Sequence, residues 1–195
     1  LGSLDELVAA ADHPPTPIVD GVGKSGATLF RQAIDGVPHV LKVLDPAIDW
    51  TLRAVGSTQP VVPLWERGIL AALPPCFRQP IVGVAHERRA DGTKVCGLLM
   101  EDVGTWLVPA TDEPITLEGH QRFLEHLAQL HAAFWEGGSQ VDVVPLAARY
   151  QELSPVMARR EAARADATDA DVPLVPRLVG EGWPRFAALA PEGVR

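Results

Sequence analysis

The sequence predicts an α+β fold, and three observations carry that expectation. Two β-rich runs meet at Asp35-Gly36, a dipeptide suited to the left-handed backbone of a tight hairpin turn. Apolar residues recur at helical spacing over 117–135. The β-type runs lie in the first half around one inserted helix, and the second half is helical, so the two types are segregated rather than alternating.

In order, residues 4–11 read as a short helix stopped by His13-Pro14-Pro15. Pro17 to Val22 is a short strand running into Gly21-Val22-Gly23-Lys24-Ser25-Gly26. Thr28–Ile34 and Val37–Leu44 are the arms of the hairpin. Val61 to Leu73 has helical spacing and ends at Pro74-Pro75, although Gly68 weakens its middle. Two further strands are expected over 80–85 and 94–100, with Asp91-Gly92 in the turn between them. Thr116 is placed to cap a long helix over 117–135, whose apolar stripe is Phe123, Leu127, Leu130 and Phe134. Gly137-Gly138 stops it. Two weaker helices are expected at 146–165 and 183–190.

The chain has 195 residues, 47% of them hydrophobic and 22% charged, enough for the core of a soluble domain or a domain and a half. Its net charge of −8 disfavours a nucleic-acid partner, because the one basic stretch, Arg159 to Arg164, is interrupted by Glu161 and followed by acids. No apolar run is long enough to span a bilayer. Cys76 and Cys96 are too far apart for a metal or redox motif, so a cytoplasmic protein with free thiols is expected. His120 and His131 share a helix face but stand roughly 16 Å apart, too far to hold one zinc ion. His126 points away from them, and His131 reads as packed in the helix interface.

Gly23-Lys24-Ser25 imitates the end of a P-loop, but Ile18 stands where the first glycine is required, and a strand-like run follows instead of a helix. A glycine-rich link between two strands is a different device. It can close over a nucleotide as a flap, offering backbone N–H groups from Gly23, Ser25 and Gly26 to phosphates; an ordinary glycine hairpin is the alternative. Lys42 lies inside the apolar strand Val40-Leu41-Lys42-Val43-Leu44. An ammonium there calls for an anion, or it is an edge-strand lysine that discourages aggregation. Glu66, on the helix that follows, is the acid expected to lean towards Lys42; an exposed glutamate is the alternative.

Taken in order, the glycine segment, the lysine strand, the acid-bearing helix, Leu98-Leu99-Met100-Glu101-Asp102-Val103 and Leu127-Ala128-Gln129-Leu130-His131-Ala132-Ala133-Phe134-Trp135 resemble the aminoglycoside phosphotransferase family. The resemblance covers about residues 17–136. It implies a protein-kinase-like N-lobe over 1–103, an antiparallel sheet plus one helix, followed by an incomplete helical C-lobe over 104–195. It also implies ATP as cofactor, with Lys42 on the α- and β-phosphates and Glu66 orienting it. Met100, Glu101 and Val103 become the hinge that receives adenine, and the acceptor is a hydroxyl of a small molecule.

The family's His-Gly-Asp segment does not occur, and the chain contains no asparagine to serve as a magnesium ligand. The expectation is therefore a segment cut before its catalytic loop, one that binds nucleotide without turnover. Mg2+ is expected for a longer parent only. A non-catalytic nucleotide-binding or protein-interaction module, or a helical interaction surface over 117–195, remain the other readings. The sequence leaves the acceptor and the oligomeric state open.

Overall fold

Asp35 and Gly36 take left-handed backbone angles, φ 51° and 74°, the geometry that lets a two-residue turn match the twist of its strands. Asp12 holds this turn from outside, its carboxylate accepting the N–H groups of Asp35 and Gly36 at 3.0 and 2.9 Å. The structure is a computed structural model that describes residues 2–19, 27–55, 61–106 and 114–135, with Leu178, Glu181, Gly182 and Arg185. Five strands are present: β1 (Thr16–Pro17), β2 (Thr28–Ile34), β3 (Val37–Leu44), β4 (Ile81–Arg88) and β5 (Lys94–Glu101). The helices are α1 (Leu4–Ala9), α2 (Trp50–Val55), α3 (Val61–Glu66) and α4 (Leu117–Phe134). The strands form one sheet in the order β1-β2-β3-β5-β4, with every neighbouring pair antiparallel. The fold is thus α+β, as the segregated pattern predicts.

Alternation along the strands gives the sheet two apolar faces. Leu41, Ala85 and Leu99 point to one, where Phe30, Ile34 and Val43 join them under Leu7 of α1. Cys96 and Leu98 point to the other with Leu44, Val84 and Met100, beneath Val61 and Val62 of α3. α1 begins at a reciprocal cap. Ser3 Oγ accepts the Glu6 N–H, and the Glu6 carboxylate accepts the N–H groups of Gly2 and Ser3. Those backbone bonds hold the Glu6 carboxyl below its ordinary value.

Three expectations change. The helix expected over 61–73 stops at Glu66, because Gly68 adopts φ 69° and only a 3₁₀ turn, Ile69–Ala72, follows. α2 was not anticipated. Buried Asp49 starts it, one carboxylate oxygen accepting from the N–H groups of Thr51 and Leu52 at 3.0 and 3.2 Å and from the Thr51 hydroxyl at 2.7 Å. β4 runs on to Arg88, beyond the expected end at residue 85. The next residue, Arg89, reaches back to Asp45 with nitrogen–oxygen distances of 2.6 and 3.2 Å, tying the end of the lysine strand to the β4–β5 hairpin. The Asp45 carboxylate raises the Arg89 pKa above its ordinary value.

Thr116 caps α4 as expected, its Oγ1 accepting the Gly119 N–H at 3.1 Å. Leu127, Leu130 and Phe134 of the stripe are half-buried, but Phe123 is 64% exposed. No described helix is long and apolar enough to cross a membrane. The helices expected at 146–165 and 183–190 lie outside the described residues, apart from Arg185.

Both cysteines are free. Cys96 is fully buried, and burial pushes its thiol up to about 12, so it stays protonated and shielded at neutral pH. Cys76 is half-buried. Brief treatment of the folded chain with an alkylating reagent is expected to add one label, at Cys76, with Cys96 reacting only after denaturation. Peptide mass spectrometry reads this directly, and equal labelling of both thiols would contradict the packing described.

Candidate functional site

Register decides what stands around Lys42. Residues directly opposite in an antiparallel sheet share a face. Lys42 is opposite Leu29 on β2 and Leu98 on β5, and Leu98 is opposite Val84 on β4. One row towards the end of β5 comes Val40, between Arg31 and Met100. One row the other way runs Leu44, Cys96, His86. Lys42 and Met100 therefore belong to the face that α3 covers, not to the face under α1. Lys42 is half-buried, and no ion pair with a described residue reaches its ammonium. Being in a central strand, it is not the edge-strand lysine that the sequence alone allowed.

The expected pairing of Lys42 with Glu66 is not formed. Glu66 is the last residue of α3, and its carboxylate lies 4.0 Å from His86 Nδ1, with both side chains mostly exposed. Sheet spacing explains this. His86 is two strands and one row from Lys42, roughly 12 Å between backbones, so an acid over β4 is out of the lysine's reach. His86 went unnoticed in the sequence because only the register brings it beneath the end of α3.

Gly23, Ser25 and Gly26 lie outside the described residues. The residues that flank them are informative. β1 pairs with β2, and the Ile18 N–H donates to the Leu29 carbonyl at 2.9 Å. β1 and β2, which flank the glycine-rich segment in sequence, thus form an antiparallel pair that is level with Lys42 at Leu29. Because β2 follows the glycine-rich segment, the helix that a P-loop requires is absent at that point.

The other end of the site is the exit from β5. The Glu101 N–H donates to Pro80 O at 2.9 Å and the Asp102 N–H to Pro38 O at 3.1 Å, so this segment is held from both sides. The Glu101 side chain pairs with Arg78, whose guanidinium lies 4.3 Å from the centre of the Trp106 ring. Val103 accepts from the Trp106 N–H at 2.8 Å. The Val103 N–H itself has no partner among the described residues. Met100 is half-buried on the Lys42 face.

No protein-family model and no curated protein matches this chain. The site must be judged on its own geometry. It amounts to a cation and an apolar row on one sheet face, with the Val103 N–H, which no described residue engages, beyond the end of β5. Asp102 lies about 14 Å along the sheet from the Lys42 row. Among the described residues no group of three or more potential metal ligands occurs. On α4, His131 is exposed, and His126 is the histidine that packs, its ring centre 6.1 Å from that of Phe77. The expectation that His131 is packed is corrected accordingly: it is exposed, and among the described residues the α4 contact with Phe77 is made by His126.

Proposed function

We propose that this chain is the nucleotide-binding part of an ATP-dependent phosphotransferase acting on a small-molecule hydroxyl, with a protein-kinase-like N-lobe over 1–103. The observation that carries the reading is Lys42: a half-buried lysine in a central strand, with no anionic partner among the described residues, opposite Leu29 near the start of the strand that follows the glycine-rich segment. A partly desolvated ammonium is costly unless an anion meets it, and phosphate oxygens meet it with charge-assisted hydrogen bonds. The position on the third strand, after a glycine-rich hairpin, is that of the phosphate-binding lysine in kinases. In the same frame the Val103 N–H donates to the adenine edge, and Met100 offers an apolar surface to the ring.

The residues present fit ATP better than they fit catalysis. ATP supplies the transferable phosphoryl group, and the chain's own residues bind and orient it. Glu66 lies beside His86 rather than beside Lys42, and the cross-strand neighbours of Lys42 are Leu29 and Leu98. No base in a His-Gly-Asp context occurs and there is no asparagine; no step is derived through Mg2+, whose ligands the described residues do not assemble. The same absences favour a second reading, a module that binds nucleotide or a protein partner without transferring phosphate. A cytoplasmic location goes with either, given ATP as ligand and two unpaired thiols.

Titration calorimetry on the 195-residue chain with ATP, ADP and adenosine tests the proposal. Saturable binding is expected, with adenosine at least about tenfold weaker than ATP because only the phosphates engage Lys42. No phosphate transfer to water or to alcohols should accompany it. A folded chain that binds none of the three ends the nucleotide reading.

A further inference from the structure

One side chain spans the turn that follows β5. Arg78 lies between Pro74-Pro75 and β4, and its Nη2 donates to Glu101 Oε2 at 2.5 Å. Its guanidinium carbon is also 4.3 Å from the centre of the Trp106 ring. Glu101 comes two residues before Val103 and Trp106 three residues after it, so Arg78 grips the turn at both ends. Between those ends the Trp106 N–H donates to the Val103 carbonyl at 2.8 Å. Asp102 Oδ1 accepts the Gly104 N–H at 2.9 Å, and its Oδ2 accepts from Arg31 Nε at 3.2 Å. These bonds shape the turn and leave the Val103 N–H with no partner among the described residues. Arg78 is itself anchored through its neighbour Phe77, which meets His126 of α4.

We propose that Arg78 is a positioning residue that holds residues 101–106 in the shape presenting the Val103 N–H to adenine, a role that rests on the nucleotide reading above. It works through Glu101 and Trp106 and meets no phosphate. Glu101 shares its face of the sheet with Leu99 and Leu41, the face under α1, whereas Lys42 is on the other. The Arg78 charge is also answered by the Glu101 carboxylate. Arg78 and Trp106 are both about 60% exposed, and exposed contacts of this kind add little to global stability. The brace therefore serves the local shape of the turn more than the stability of the fold.

A brace and a bare charge have opposite signatures. Removing a cation near a polyphosphate weakens the polyphosphate and leaves a neutral ligand unaffected. Removing a brace weakens neutral adenosine and spares inorganic triphosphate, which has no base to present to Val103. Arg78→Gln and Trp106→Leu should each weaken adenosine and ATP by the same factor, about threefold to tenfold. Both remove the same brace, so the double variant should lose no more than the more affected single. Thermal midpoints should move by no more than a few degrees.

Calorimetry with adenosine, ATP and inorganic triphosphate on the wild-type chain, Lys42→Ala and these three variants separates the outcomes. Parallel weakening of adenosine and ATP in both single variants, with triphosphate unchanged and no further loss in the double, supports the brace. Adenosine binding unchanged in Arg78→Gln overturns it, and so does triphosphate weakened as much as adenosine. A loss in Trp106→Leu alone also overturns it, since Trp106 then meets the ligand directly. In each of these cases the nucleotide reading stands on the loss of ATP affinity in Lys42→Ala. A wild-type chain that binds no nucleotide removes both.

Discussion

Lys42→Ala is expected to weaken ATP binding by about tenfold to a hundredfold, the equivalent of ~1.5–3 kcal/mol for a hydrogen bond to a charged group. Adenosine affinity should be unchanged, since on the proposed reading the ammonium meets the phosphates, while the adenine contacts begin with Met100, one row further along the sheet. Fold should be preserved, because the substitution removes a charge that no described residue pairs with. Lys42→Met, which keeps most of the stem, separates the charge from the packing of the chain's methylene groups. If ATP and adenosine fall together in both variants, the lysine is a packing residue and the phosphate assignment is wrong. If ATP binding survives intact in both, the ligand is not held by this face of the sheet.

Leu7→Ala should produce the largest loss of stability, about 2–5 kcal/mol. Leu7 is 0% exposed and completes the cluster of Leu41, Ala85 and Leu99. Its carbonyl accepts from Gln32 Nε2 at 3.1 Å, so the helix is fixed by backbone as well as side chain. Gly97 leaves the room: a Cβ there would come within 3.0 Å of Leu7 Cδ1 and would collide with Leu4. A loss of that size is a large part of the ~5–15 kcal/mol that holds a domain together. Urea unfolding measures it as a shift in midpoint at constant slope. Val8→Ala, one residue on and exposed, is the control and should cost under ~0.5 kcal/mol. Equal effects at the two positions would mean that α1 is not docked on the sheet.

These two residues show how differently the chain discloses its parts. The β2–β3 hairpin is readable from Asp35-Gly36 alone, because two positive φ angles in succession are tolerated by few dipeptides. The start of α4 is readable from Thr116 for a similar reason: a cap acts over three residues. α2 was missed although Asp49 carries the same kind of local signal, since Trp50–Val55 is too short for helical periodicity to show. The helix at 61–73 was drawn too long because apolar spacing continues past Gly68, and spacing does not register a single backbone angle.

The candidate site divides along the same line. Lys42 within an apolar strand is visible in one dimension, as is the run Met100-Glu101-Asp102-Val103. That Lys42 faces α3 and not α1 depends on cross-strand register, as does the company of Met100. Glu66 lies near His86 of β4 and not near Lys42, because β5 is inserted between β3 and β4. Arg31–Asp102 could not have been found at all from spacing, since nothing local links residues 71 apart.

By itself the sequence determined the Asp35-Gly36 turn, the Thr116 cap, the course of the longer strands and the identity of the charged residue in the apolar strand, all of which are set by interactions within a few residues. Tertiary structure alone decided which face that residue meets, which acid lies beside which base, and which strand is tied to which turn. Those are settled by strand order and register, and a pairing shifted by one residue would exchange the two faces of every strand.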